Sequence, residues 1–259
     1  MDEKFFKNLI LQCQGGMNVK TRRMKGLGGV CVALATMALP VTGMATGMVP
    51  ETSVVLINEA DGEATMNVRN SESTPQLLHT SVNHIEEDQE ELVIVTPPVA
   101  RVEGNDTQVV RFILRNKTPL KTERLARAIF EGIPPKNPAT GEARVTMTVR
   151  QDLPLVIHPK GLPLEREPWK KLRVSVNGDQ LVIENPSPYV VRLAQSVVFQ
   201  PGQEAAELPR PYVLPETSVT VSLKTKPAAP TAARLFPATL YGFAVENYDA
   251  PLTNADARR

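Results

Sequence analysis

Residues 145–157 carry the pattern that decides the fold: Val-Thr-Met-Thr-Val-Arg-Gln-Asp-Leu-Pro-Leu-Val-Ile. Every second residue is apolar, with only Gln151 interrupting, and the opposite face begins with two threonines, an arginine and an aspartate. This period of two predicts a β-strand with one apolar face. Pro154 lacks a backbone donor, which places that part of the strand at a sheet edge or a bulge. An apolar row on an edge strand invites aggregation, so we expect the strand to pair with another chain.

Short strands surround this segment. Between residues 53 and 157 about seven short strand-like runs are separated by turn residues, the spacing of an immunoglobulin-like sandwich. A Pro/Gly-punctuated joint follows at residues 158–163, and a second series of strands begins after it, with Asn177-Gly178 as a hairpin turn. The prediction is an all-β protein of two tandem immunoglobulin-like β-sandwich domains joined at an angle. Their predicted bounds are residues 51–159 and 160–252, followed by a tail at 253–259.

The first fifty residues have the composition of a targeting segment. A positively charged stretch at residues 20–25 precedes an apolar run at 27–41, and Gly43 and Ala45 suit the −3 and −1 positions of a signal peptidase. We therefore interpret residues 1–50 as a leader that is removed near Ala45.

Three further features of the leader bear on the rest of the chain. A membrane anchor is the competing interpretation, but the apolar run is too short and interrupted to cross a bilayer core of about 30 Å, so no stable membrane insertion is expected after removal. Asp2 and Glu3 suit no positively charged start, which leaves Met1 and Met17 as alternative first residues. Both cysteines, Cys13 and Cys31, lie in the leader, so the mature chain is expected to have no disulfide and no thiolate ligand.

Several functions lack the residues they need. The net charge of +1 and the low aromatic content argue against nucleic-acid binding. His79, His84 and His158 are scattered without further ligands at metal-binding spacing. Nucleophile elbows and phosphate-binding glycine loops do not occur, so we expect no enzymatic activity, no cofactor and no small-molecule substrate. The acidic run at residues 86–91 is expected to be a solvated loop.

Five landmarks, in this order, resemble one family: Val95-Thr96-Pro97-Pro98, Ile133-Pro134-Pro135, Asn185-Pro186-Ser187-Pro188-Tyr189, Val213-Leu214-Pro215 and Glu246-Asn247-Tyr248. Over residues 53–252 the chain resembles the periplasmic chaperones of chaperone–usher pilus assembly. Residues 127–134 and 150–154 resemble the divergent, archaic branch of that family. The resemblance also predicts a cis peptide at Thr96-Pro97 or Pro97-Pro98.

The resemblance implies a periplasmic, non-enzymatic function. Such a chaperone binds pilin subunits that lack their last strand, fills the vacant groove with alternate side chains of its own edge strand, and delivers the subunit to an outer-membrane usher. The residues that would fill the groove are Val145, Met147 and Val149. From the residues alone, packing in the core of this chain is the favoured interpretation for these three, and the resemblance reverses that preference. The alternative function is a surface or secreted immunoglobulin-like adhesive module.

The chain departs from the family at the anchor for the subunit's C-terminal carboxylate. The family uses an arginine and a lysine, and the matching positions here are Ser53 and Pro154. A buried carboxylate needs a cation, so Arg127 and Arg150 are the candidates.

The second departure concerns the joint between the domains, which the family holds with a buried acid–arginine–acid set. The matching places hold Gly132, with Glu131 beside it, His158 and Asn247. We therefore expect a neutral or pH-sensitive hydrogen-bonded joint formed by Glu131, His158 and Asn247.

Overall fold

A computed structural model describes residues 47–135, 148–202, 204–239, 242 and 245–253, which belong to one compact unit. The described residues form two β-sandwiches in tandem, with a single 3-10 turn, Pro168–Lys171, between them. The predicted leader, up to residue 46, and the predicted tail beyond Thr253 lie outside the described residues. Among the described residues, no helix has the length and apolar character needed to span a membrane.

The N-terminal domain packs a four-stranded sheet, in the order β1-β3-β7-β5, on a five-stranded sheet, in the order β2-β9-β8-β4-β6. Its strands are β1 (Met48–Pro50), β2 (Val55–Asn58), β3 (Glu63–Asn70), β4 (Gln76–Asn83), β5 (Val93–Thr96), β6 (Val99–Val102), β7 (Thr107–Leu114), β8 (Arg124–Ile133) and β9 (Arg150–His158). Period-two burial on the facing strands builds the core, where the rings of Phe112 and Phe130 meet edge to face with centroids 6.1 Å apart.

Strand β1 includes residues that we had assigned to the leader. Met48 is buried and pairs with Asn70, and Pro50 pairs with Val68. Strand β1 thus overlaps the last three residues of the predicted leader, whose bounds stay a prediction. The predicted cis peptide at Thr96-Pro97 is confirmed, and Gln200-Pro201 is also cis.

The C-terminal domain consists of three small sheets, in the orders β10-β11-β16, β15-β12-β18 and β14-β13-β17-β19. Its strands are β10 (Arg173–Asn177), β11 (Gln180–Asn185), β12 (Val191–Leu193), β13 (Ser196–Gln200), β14 (Ala205–Glu207), β15 (Tyr212–Val213), β16 (Thr217–Ser222), β17 (Ala232–Leu235), β18 (Pro237–Ala238) and β19 (Tyr248–Pro251). The predicted hairpin joins β10 and β11, with Gly178 at φ 65°. The apolar run at 189–199 divides into β12 and β13, which belong to different sheets.

A third apolar cluster lies between the two sandwiches. Val54, Leu125 and Val156 of the N-terminal domain contact Val190 of the C-terminal domain there, and all four are buried. This cluster joins the two domains by apolar packing.

Candidate functional site

Strand β9 has two halves with different neighbours. From Leu155 onward it is an inner strand, with β2 parallel on one side and β8 antiparallel on the other. From Arg150 to Pro154 it pairs only with β8, so within the described residues its other edge has no strand beside it. Pro154 therefore lies where the sheet has a free edge, and its missing N–H breaks no ladder. The upstream half of β9 offers backbone groups to a further strand.

The apolar row of β9 continues past the end of the core. Leu155 and Ile157 are buried in the N-terminal core, and Leu153 packs against it. Val149 has the same parity and so the same face, yet 47% of its surface is exposed. Val145 and Met147 lie outside the described residues. Side chains on one face of this segment are thus buried in the N-terminal core at its C-terminal end and exposed to solvent at its N-terminal end.

Arg127 is placed on β8 next to this free edge. Its neighbours Ala128 and Phe130 show that the even-numbered positions face the core, which puts Arg127 on the outer face, opposite Pro154 in register. Its Nε donates to Asp152 Oδ1 at 2.7 Å and a terminal nitrogen donates to the Asp152 carbonyl at 2.9 Å. The guanidinium is therefore oriented by a carboxylate that is itself half exposed.

A cavity of about 460 Å³ opens beside Arg127, with walls from both domains. The N-terminal domain contributes Leu125, Arg127 and Pro154, and the opposite wall is lined by Arg192, Leu193, Ala194, Pro211, Tyr212, Phe236, Pro237, Ala238, Gly242, Val245 and Asn247. Its walls are mainly apolar, so a charge inside it is poorly solvated.

Arg192 is a residue of this cavity that the sequence did not reveal. On β12 its neighbours Val191 and Leu193 point into the C-terminal core, so Arg192 points to the cavity. Burial lowers the pKa of its guanidinium, and the nearby charge of Arg127 lowers it further. An arginine flanked by apolar strand residues looks, from sequence alone, like a solvated position.

Arg150, the second predicted anchor, is not brought to this cavity. It is exposed and pairs in register with Glu131. Four residues separate it from Pro154, a distance of about 13 Å along an extended strand. Of the two predicted anchors, only Arg127 lies in the cleft.

The joint between the domains centres on Glu123 and His158, which are 3% and 8% exposed. His158 Nδ1 lies 2.8 Å from Glu123 Oε1, and its Nε2 lies 2.9 Å from the Leu162 carbonyl. The other Glu123 oxygen accepts the backbone N–H of Val190, in the C-terminal domain, at 2.7 Å. Burial raises the pKa of the Glu123 carboxyl, while the hydrogen bonds from His158 and Val190 oppose that rise. The Glu123–His158 pair thus connects both domains and the linker.

The predicted joint is therefore corrected in two of its three members. Glu131 lies toward the far end of β8, where its Oε2 is 3.7 Å from His79 Nδ1. Gly132 packs so closely that a Cβ there would meet Gln76 and Met48, which leaves no room for an acid. Asn247 is exposed and lines the cavity rather than the buried pair. His158 alone belongs to the joint, and Glu123 supplies the acid.

The acidic run at residues 86–91 is more than a solvated loop. Glu87 pairs with Arg210 of the C-terminal domain and accepts the Tyr212 hydroxyl at 3.2 Å. Asp88 pairs with Arg124, which also contacts Glu90 at 3.1 Å. This loop is a second polar contact between the domains.

An apolar patch lies on the outer face of the five-stranded sheet, on strands β8, β4 and β6, which follow β9 on the side opposite its free edge. Leu77 and Ile133 stand opposite each other on β4 and β8, and Val99 on β6 is diagonal to Leu77. These three side chains are 40–52% exposed. Adjacent exposed apolar side chains of this kind mark interaction surfaces.

Comparison with known families gives a consistent assignment for both domains. The family described as "Pili and flagellar-assembly chaperone, PapD N-terminal domain" matches residues 47–163. The family described as "Pili assembly chaperone PapD, C-terminal domain" matches residues 167–247. Together the two matches cover well over half of the chain.

Individual relatives agree with this assignment. The uncharacterized fimbrial chaperone YhcA of Escherichia coli (strain K12) is 45% identical over 206 residues, which are 79% of this chain and 90% of that protein. A chain from the Salmonella enterica SafA pilin–SafB chaperone complex superposes with a TM-score of 0.67 at 21% identity, covering 81% of this chain and 98% of that chain. For the CsuC–CsuE complex of archaic Csu pili from Acinetobacter baumannii the TM-score is 0.59 at 17% identity, covering 81% and 100%. These two structures share the fold.

Proposed function

Because the chain belongs to the PapD-like family of pilus-assembly chaperones, we propose that it is a periplasmic chaperone that adds its β9 edge to fimbrial subunits and delivers them to an outer-membrane usher. Chaperones of this family are not enzymes. The alternative of a surface adhesive module is not retained, because both domains match the chaperone family.

The observation that carries this proposal is the odd-numbered face of β9, which leaves the core at Leu153, is interrupted by Gln151 and resumes at the exposed Val149 just before the strand. We call residues 145–149 the donor segment. Main-chain pairing along the free edge supplies affinity, and side chains at every second position supply register. A slip by one residue would present Thr148 to the partner instead of Val149.

The direction of the added strand follows from charge. A strand on the free edge would lie in line with β2, which runs parallel to β9 from the Val55–Leu155 pair onward. In that same direction its C-terminus would reach Pro154 and the cavity that contains Arg127. A cationic cavity suits a terminal carboxylate and not a terminal ammonium. Arg127 is therefore the proposed anchor, with Asp152 orienting it.

Delivery to an usher requires a surface that the subunit leaves uncovered. The patch of Leu77, Val99 and Ile133 meets this requirement, because it lies on the outer face of the sheet, on strands β4, β6 and β8, whereas the subunit would pair with the free edge of β9 on its other side. Its exposed apolar side chains support a protein partner of limited area.

The test is subunit capture by single variants in the donor segment. Half of the Val149 surface remains available for burial, worth about 1 kcal/mol, and an unpaired aspartate in an apolar groove adds a penalty of several kcal/mol. Val149→Asp and Met147→Asp should therefore lower pilin recovery from periplasmic co-expression by at least about tenfold. Tagged chaperone is purified and the complex is identified by intact mass.

Thr148→Asp is the matched control, because the same charge stands one residue away on the opposite face. It should leave pilin recovery near the wild-type level. All three variants should melt close to the wild type, because residues 147–149 precede β9 and Val149 is exposed. Equal loss of pilin in Thr148→Asp, or unfolding of Val149→Asp, would contradict strand addition by this face.

A further inference from the structure

The charges of the cleft do not balance within the described residues. Arg127 pairs with Asp152, whereas the hydrogen bond found for Arg192 runs to the carbonyl of Thr239, at 3.3 Å. None of the described carboxylates forms an ion pair with Arg192. Two guanidinium groups therefore line one mainly apolar cavity, and a described carboxylate, Asp152, pairs with only one of them. A second carboxylate would complete the set.

Arg192 enters the cavity from the other domain. The positions at which the resemblance predicts an arginine and a lysine are Ser53 and Pro154, and both border this same space. Pro154 lines it, and the Ser53 hydroxyl packs against Gly242 of the opposite wall, 2.1 Å from the place of a Cβ on that glycine. The cations in this cleft are instead Arg127 on one wall and Arg192 on the other. A carboxylate between them would bind both domains at once.

We propose that Arg192, from the C-terminal domain, binds the terminal carboxylate of the fimbrial subunit together with Arg127, so that subunit binding also fixes the two domains across the cleft. This inference rests on the proposed function, since it assigns a second residue to the same anchor. The buried side chains of Val191 and Leu193 fix the backbone on either side of Arg192. Burial also lowers the pKa of its guanidinium, consistent with a cation that lacks a counter-ion until the subunit arrives.

The experiment compares two peptides that span the last strand of the pilin recovered with the chaperone, one with a free C-terminal carboxylate and one with a C-terminal amide. Full-length mature chaperone is titrated with each peptide. The wild type should bind the free acid about tenfold or more tightly than the amide, and added salt should reduce that ratio. Arg192→Met should bring the ratio close to one by weakening the acid alone, and Arg192→Lys should recover part of it. Arg173→Met, an exposed arginine of the same domain, is the matched control.

The outcomes separate this inference from the proposed function. A wild type that binds both peptides equally well would refute the carboxylate anchor while leaving strand addition in place. An acid–amide ratio that survives Arg192→Met but disappears in Arg127→Met would keep the anchor and overturn the role of Arg192. Equal weakening of both peptides by Arg192→Met would assign Arg192 to the cleft wall instead. Circular dichroism of each variant verifies the fold.

Discussion

Removing the Glu123 carboxylate should loosen the joint between the two domains. In Glu123→Ala the buried N–H of Val190 and the Nδ1 of His158 both lose their partner, at 2.7 and 2.8 Å in the wild type. Each buried polar group left without a hydrogen bond costs about 1–3 kcal/mol, so the free energy of unfolding should fall by about 2–6 kcal/mol. Glu123→Gln keeps an oxygen for Val190 and should lose about 1 kcal/mol.

Urea unfolding measures this effect. Trp169, the single tryptophan, is buried at the start of the C-terminal domain and reports the transition by fluorescence. Glu131→Ala is the matched control, because Glu131 is a glutamate of β8 that lies away from the joint, and it should change stability by less than about 0.5 kcal/mol. Equal effects of Glu123→Ala and Glu131→Ala would refute the assignment of Glu123 as the acid of the joint.

Three further predictions follow from charge and exposure. Burial raises the pKa of the Glu123 carboxyl above its ordinary 4.5. The stability difference between the wild type and Glu123→Gln should therefore be greatest below pH 4.5 and should fall as the pH rises through the raised pKa. Burial opposes the shift, but the hydrogen bond from Arg124 lowers the pKa of Asp88, so the stability difference between the wild type and Asp88→Asn should shrink as the pH falls below 3.8. The two stability differences should therefore change with pH in opposite directions, and differences that change in the same direction would contradict one of the two assignments. Leu77→Asp should abolish capture by an immobilised usher while pilin binding persists, and Val109→Asp, equally exposed on the other sheet, should not.

Local periodicity predicted the strands well. The alternation at residues 145–157 located β9 from Arg150 onward, and Asn177-Gly178 located the β10–β11 hairpin. The two-domain, all-β architecture and the family assignment are confirmed by the fold and by the matches to both chaperone domains. The donor segment stays a prediction, because two of its three contact residues lie outside the described part of the chain.

Local sequence patterns could not predict Glu123 at the joint or Arg192 in the cleft. Glu123 follows Lys121 and Thr122 in a polar stretch that suggests a solvated turn, yet its partners lie 35 and 67 residues away in the chain. Arg192 alternates with apolar neighbours, as a surface residue does on any half-buried strand. Both become recognisable only when the second sandwich is placed against the first. The prediction of a solvated loop at residues 86–91 was incomplete for the same reason, since Glu87 pairs with Arg210 of the other domain.

Under the proposed function, the residues on one face of β9 and just before it are subject to two different evolutionary constraints. Leu155 and Ile157 are constrained by the folding of this chain, so substitutions there are judged in the absence of any subunit. If the donor segment fills a pilin groove as proposed, Val149 and the positions upstream of it are constrained by a groove that another gene encodes. Sequence drift at the two ends of the strand should therefore be uncoupled: the downstream end conserves volume for its own core, while the upstream end changes in step with the pilin. Leu153, which packs at the edge of the core, marks the boundary between the two.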